Sequence, residues 1–182
     1  MKNLKTLPEI HTQRLLLRKI EESDADAILF LRTDKTVNKY IQRPASRQIK
    51  NISDALNHIR KINKDKEENI SFAWGMTLKN SPDIIGTICL WNFSKDHKKA
   101  EVGYDLNPKF QRKGYMSEAL KKILHFGFKE LNLDLIEAFT HHQNKSSIKL
   151  LEKHGFRLNS SKKDQDNSAN LVFDIKRVLT SK

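Results

Sequence analysis

Apolar positions recur along this chain with two different periods. Short apolar or alternating runs mark strands at Arg14–Ile20 (RLLLRKI), Ile70–Leu78 (ISFAWGMTL), Ile84–Phe93 (IIGTICLWNF), Ala100–Leu106 (AEVGYDL) and Leu135–His141 (LIEAFTH). Two more close the chain at Phe156–Ser161 and Ala169–Arg177. The turn residues of NSPD (80–83) and SKDHKK (94–99) bracket the middle runs, so Ile84 to Leu106 is predicted as an antiparallel hairpin.

Helical spacing appears in four places. Residues 22–33 open on Ser23 or Asp24 as N-cap. Residues 46–68 space Ile49, Ile52, Leu56 and Ile59 three and four apart, above a charged face. The longest stripe follows Gly114: Met116, Ala119, Leu120, Ile123, Leu124, Gly127, Phe128 and Leu131. A fourth helix spans NKSSIKLLEKHG, with Gly155 suited to a left-handed C-terminal cap. Strand, helices, a strand meander, helix, strand, helix and strands together predict a mixed α/β (α+β) sheet packed by helices. Residues 1–182 read as one domain without repeats, and the polar stretches 61–69 and 159–170 read as loops rather than linkers.

Composition narrows the partners. The chain is 37% hydrophobic and 31% charged, with no run of the ~18 apolar residues that a membrane span needs. The N-terminus has no continuous apolar segment of the signal-peptide kind, and one cysteine, Cys89, excludes an internal disulfide, so a cytoplasmic protein is expected. Net charge is +12, and residues 111–182 hold 14 basic against 8 acidic residues, half of the excess. A charge spread so evenly suits a solvated surface, an anionic ligand or a ribosome-like surface. No zinc spacing and no aromatic-basic interleaving appear, so neither a metal nor specific nucleic-acid reading is expected.

The chemistry gathers at NPKFQRKGYMSEAL. Arg112, Lys113 and Gly114 stand where a helix begins, and a helix N-terminus offers free N–H groups and partial positive charge to an anion. The spacing is not that of a nucleotide P-loop. His141-His142 ends a strand as a surface pair or a proton shuttle. Trp74 and Trp91 read as core or as the wall of a pocket. Cys89 reads as a small core residue.

Two of these stretches, EVGYDLNPKFQRKGYMSEAL and NKSSIKLLEKHGF, together with the opening TQRLLLRKIEESDADAI, resemble the GNAT N-acetyltransferases, nearest the RimJ/RimL type that acetylates ribosomal-protein N-termini. The likeness runs from Thr12 to about Lys176. It implies a mostly antiparallel sheet that splays between its fourth and fifth strands around acetyl-coenzyme A. It implies a pyrophosphate loop over Gln111, Arg112, Lys113, Gly114, Tyr115, Met116 and Ser117, with Met116 standing where Gly or Ala is usual. It places a backbone N–H near Leu106 at the thioester, Asn144 on the pantetheine arm and Ser147 beside the sulfur. It puts an acidic residue, Glu101, where a base for the amine is wanted, with Tyr104 lining the thioester or donating a proton. Alternation along the strand sets Glu101, Gly103 and Asp105 on one face and Val102 and Tyr104 on the other. Direct attack by a primary amine is implied, preferably a protein or peptide N-terminus, with Cys89 not needed as an acyl carrier and no metal. A small amine or aminoglycoside-like acceptor, a coenzyme A-binding module of slight activity, ribosome association and a homodimer all stay open.

Overall fold

A computed structural model describes Leu4 and residues 6–178. The termini of the one-domain reading, and part of the stretch read for a signal peptide, lie outside the described residues. The elements are β1 (Ile10–His11), β2 (Leu15–Arg18), α1 (Ala25–Thr33), α2 (Ile52–Glu67), β3 (Phe72–Leu78), β4 (Ile84–Trp91) and β5 (Lys99–Leu106). They continue with α3 (Tyr115–His125), β6 (Leu135–His141), α4 (Lys145–Lys153), β7 (Arg157–Leu158) and β8 (Asn170–Lys176). Among the described residues eight strands form one sheet in the order β1-β2-β3-β4-β5-β6-β8-β7, and only the β5–β6 pair is parallel. The mixed sheet and the β4–β5 hairpin are as the pattern predicts, and its mostly antiparallel pairing is as the family resemblance implies.

Strand registers assign the two faces. Trp74, Ile88 and Tyr104 are paired neighbours, as are Phe72, Leu90 and Val102. This face meets α3, whose Met116, Ala119, Leu120, Ile123 and Leu124 are all buried in the larger core. The opposite face carries Trp91 beside Glu101, Cys89 beside Gly103 and Thr87 beside Asp105. On that side α1 and α2 bury a second core around Ile28, Leu31, Ala55 and Ile59.

Four local departures have physical causes. The edge strand β1, absent from the pattern, is two residues long and too short to show a period. The 46–68 helix begins only at Ile52, because the Asn51 side chain accepts from Asp54 N–H and caps it there. Ile49 is therefore buried ahead of the helix while Ile52 is exposed. Asp24 stands at the N-terminus of α1 without capping it, since its carboxylate is held by Arg18 at 2.8 Å on each oxygen and by Glu21 N–H. Finally, α3 passes into a π-turn over Phe126–Glu130, which advances the stripe and buries Phe126 in place of Phe128.

Candidate active site

The site begins where the sheet comes apart. β5 and β6 pair only at Lys99↔Leu135, Ala100↔Ile136 and Glu101↔Glu137, and no pairing follows. Beyond that point the strands diverge around a cleft of about 140 Å³ lined by Tyr40, Gln42, Gly103, Tyr104, Thr140 and Ser147 among others. The splay expected between a fourth and a fifth strand thus falls between β5 and β6, because β1 shifts the count by one. Asn107 N–H donates to Ile85 O at 2.8 Å, so ladder alternation turns the Leu106 N–H toward the opened seam.

Each of the parting strands leads into a helix, α3 after β5 and α4 after β6. α3 starts at Gly114, whose φ of +81° is left-handed, and Arg112 is left-handed too at +61°. Two such residues within three positions turn successive N–H groups toward one side, the form of an anion nest. The surrounding side chains brace the loop. Arg14 donates to Lys113 O at 3.0 Å, pairs with Glu118 at 2.8 Å and stacks over the Tyr115 ring at 4.5 Å. Gln111 donates to Leu106 O at 3.0 Å, Met116 is buried in the core, and Ser117 shares a 2.8 Å hydrogen bond with His154. What faces outward is therefore backbone N–H together with the Arg112 and Lys113 side chains. Arg14, 100 residues away in sequence, carried no local signal of this bracing role.

α4 is capped by Asn144, whose side-chain oxygen accepts from Ser147 N–H at 3.1 Å. The Ser147 hydroxyl reaches across the seam to the Tyr104 hydroxyl at 2.8 Å. The two residues stand 43 apart in sequence. Burial pushes the Tyr104 phenol up to about 12, partly offset by Ser147, so it holds its proton throughout the neutral range. Glu101 lies on the other face of β5, as alternation predicts, and its carboxylate accepts from Asn92 Nδ2 at 2.6 Å. Burial raises its pKa above the ordinary carboxylate value, against the opposing pull of Asn92. Below it Glu137, almost fully buried, is held by Lys162 at 2.6 Å and Lys99 at 3.4 Å. The polar 159–170 stretch is thereby tied to the sheet beneath Glu101.

The remaining candidates separate cleanly. Trp74 is fully buried and donates to Pro8 O at 2.9 Å, whereas Trp91 lies beside Glu101 with the Arg47 guanidinium 5.2 Å over its ring. His141 lines the cleft and stacks on His142 with ring centres 4.5 Å apart. Cys89 is half-buried, and desolvation raises its thiol to about 11, so little thiolate is present at neutral pH. Among the described residues no group of three His, Cys, Asp or Glu side chains could hold a metal ion, and no helix is long and apolar enough to cross a membrane.

His58 is a titrating group that the sequence did not single out. Its Nε2 lies 2.8 Å from Arg32 Nη2, so the ring accepts there and is neutral. Burial, then the charges of Arg32 and Arg43, lower its pKa to about 3. A folded-state value below the unfolded ~6.5 means that the unfolded chain binds the proton first. Its contribution to stability is therefore present above about pH 6.5 and lost as pH falls toward 3. His58→Gln, whose side-chain oxygen still accepts from Arg32, is expected to flatten the fall in melting temperature between pH 7 and pH 4. A slope identical to that of the unaltered protein would exclude His58 as its source.

Comparison with known proteins places these features in a family. Residues 14–157 match the acetyltransferase (GNAT) domain. An uncharacterized N-acetyltransferase of Bacillus licheniformis is 32% identical over 166 residues, covering 91% of this chain and 92% of that protein. A GNAT-family acetyltransferase from Bacillus anthracis superimposes with a TM-score of 0.77 at 28% identity, over 93% of this chain and 98% of that one. The fold is also that of RimL, a ribosomal α-N-protein acetyltransferase in complex with coenzyme A, at a TM-score of 0.79 and 16% identity over 93% and 98% of the two chains.

Proposed function

Because this chain belongs to the GNAT acetyltransferase family, we propose that it transfers the acetyl group of acetyl-coenzyme A to a protein or peptide N-terminal amine by direct attack in the opened β5–β6 seam. The observation that carries this reading is the seam itself. The strands part after Glu101, and at the parting the Tyr104 and Ser147 hydroxyls meet 2.8 Å apart, with the nest before α3 nearby in the chain. The RimL likeness supports the N-terminal acceptor. So does chemistry, since an α-amine with a pKa near ~8 loses its proton more readily than a lysine at ~10.4.

The residues divide the work. The N–H groups after Gly114, with Arg112 and Lys113, bind the pyrophosphate. The exposed strand edge of β5 pairs with the pantetheine arm, and Asn144 stands at the seam to accept from its amides. The Leu106 N–H stabilises charge growing on the thioester oxygen. Glu101, its base strength raised by burial and its orientation set by Asn92, takes the proton from the amine, directly or through water. As the carbon–nitrogen bond forms and the carbon–sulfur bond breaks, the departing thiolate accepts a hydrogen bond from the Tyr104–Ser147 pair and takes its proton from solvent. A phenol held near 12 is a weak acid, so its main contribution is hydrogen bonding to the sulfur.

The test is mass spectrometry of peptides and small amines incubated with acetyl-coenzyme A. Acetylation of peptide α-amines is expected; acetyl groups confined to lysines or small amines would overturn the acceptor assignment. Within the pair, Tyr104→Phe and Ser147→Ala are each expected to lower kcat by ~10-fold or more with little change across pH 6 to 9.5, since hydrogen bonds to charged groups contribute ~1.5–3 kcal/mol. Full activity in Ser147→Ala would leave that serine with only its place in the first turn of α4.

A further inference from the structure

On the face of the sheet that carries Glu101, one guanidinium group meets a carboxylate and a second meets a neutral histidine ring. Arg43 lies 3.8 Å from Asp105 and also donates to Asn38 Oδ1. The carboxylate is already engaged, for Asp105 Oδ1 accepts from Thr87 N–H at 3.1 Å and from the Thr87 hydroxyl at 2.7 Å. Arg32 forms no ion pair among the described residues, and its partner is the His58 ring at 2.8 Å. The cluster is far from solvated: the Arg43 side chain is 14% exposed and that of Asp105 6%. Charge withdrawn from water without a full counter-charge costs free energy that an incoming anion recovers. The strain is visible in Arg43, whose pKa falls to about 10, first through burial and then through the charge of Arg32.

Position gives the cluster a use. Along β5 the same face presents Glu101, then Gly103, then Asp105. A side chain at Gly103 would begin 3.2 Å from Cys89 Sγ and 3.6 Å from Trp91 Nε1, so glycine leaves the strand surface bare between the base and the arginines. Gly103 and neighbouring Gln42 both line the cleft, and Gln42 directly precedes Arg43. Two residues of strand span roughly 6.6 Å, the same advance that an extended peptide makes in two residues. An extended acceptor lying along β5 with its amine beside Gly103 therefore brings its third residue alongside Asp105 and Arg43, with its second residue one step short of them.

We infer that Arg32 and Arg43 form a binding site for a carboxylate carried by the acceptor one or two residues behind its reacting amine, so that the acceptors are peptides with an acidic second or third residue. This rests on the acetyl-transfer reading above and adds the acceptor's charge to it. Arginine suits the task because its planar fork meets a carboxylate with two parallel hydrogen bonds.

The experiment compares four-residue peptides with C-terminal amides, Ala-Asp-Ala-Ala and Ala-Ala-Asp-Ala against the same peptides with Asn for Asp, and γ-aminobutyrate against butylamine. Initial rates of thiol release give kcat/KM, and calorimetry on protein saturated with coenzyme A gives acceptor binding without turnover. An Asp peptide is expected to exceed its Asn twin by about tenfold or more, carried by KM, the scale of a charge-assisted hydrogen bond. Arg32→Gln and Arg43→Gln should each bring that ratio close to one. Arg43→Lys, which keeps the charge but loses the fork, should retain part of it. A retained coenzyme A-induced rise in melting temperature certifies that a variant is folded. Equal rates and equal binding for the Asp and Asn twins, or a preference that survives Arg32→Gln and Arg43→Gln alike, would overturn the inference. A preference for γ-aminobutyrate over both Asp peptides would reassign the carboxylate to a small acceptor and overturn the peptide assignment. Thiol release from no amine at all is a separate result: it removes the acetyl-transfer reading, and this inference falls with it.

Discussion

Gly114→Val is expected to abolish the stabilisation that coenzyme A gives the protein while leaving the unliganded chain folded. A ligand present at 100 times its dissociation constant and binding only the native state adds about 2.7 kcal/mol. In a chain of this size that is a rise of very roughly 5–10 °C in melting temperature, at about 2–4 °C per kcal/mol. The loss follows from the backbone at the start of α3. Gly114 has φ +81°, a region that costs an L-residue roughly 1–2 kcal/mol and a β-branched one more. A Cβ there would stand 3.3 Å from Arg14 Nη2, whose guanidinium also holds Lys113 O. Valine therefore either flips the turn, scattering the N–H groups proposed to bind the pyrophosphate, or displaces Arg14. Neither touches the buried face of α3, so the variant should melt a few degrees lower and still cooperatively. A thermal melt with and without saturating coenzyme A decides the matter. An undiminished shift would place the pyrophosphate away from Gly114.

Glu101→Gln is expected to lower kcat/KM by ~10² or more at pH 6, with the loss shrinking as pH approaches the acceptor's own pKa near ~8. At low pH the amine carries a proton that only a base can remove, whereas at high pH it arrives free. The raised pKa of Glu101 has a direct consequence for the unaltered enzyme. Its acid limb should begin above the ordinary carboxylate range, because the carboxylate is lost as pH falls through that raised value. Glutamine keeps the size of the side chain and the hydrogen bond from Asn92, so coenzyme A binding should be unchanged. Profiles of kcat/KM from pH 6 to 9.5 provide the comparison, and a flat profile near the unaltered rate would remove Glu101 from proton transfer and turn attention to His141.

The parts of the molecule readable from sequence are those fixed by local periodicity. The stripe from Met116 to Leu124 is long enough to specify one helix face, and alternation along β5 places Glu101 and Tyr104 on opposite faces, as they stand. The π-turn at Phe126 was not readable, because one extra residue per turn changes no residue type and is chosen by the packing of Phe126 against Trp74. The same holds for contacts between elements distant in the chain. Tyr104 with Ser147, Arg14 with Lys113, and Arg32 with His58 join segments 26 to 99 residues apart, and each partner alone resembles any surface or strand residue. A charge total of +12 is visible in the sequence; that Arg43 lies largely buried against Asp105 and Arg32 against the His58 ring is a property of the fold alone.

Acetyl transfer to an N-terminal amine is proposed to occur in the seam between β5 and β6. Its most direct measurement follows one reaction by two readouts: free thiol released from acetyl-coenzyme A, and N-terminal acetyl peptide counted by mass spectrometry, with Ala-Asp-Ala-Ala amide as acceptor. One thiol per acetylated α-amine is expected, with a parallel fall of both in Glu101→Gln at pH 6. Thiol release without acetyl peptide, or acetyl transfer undiminished in that variant, would contradict it.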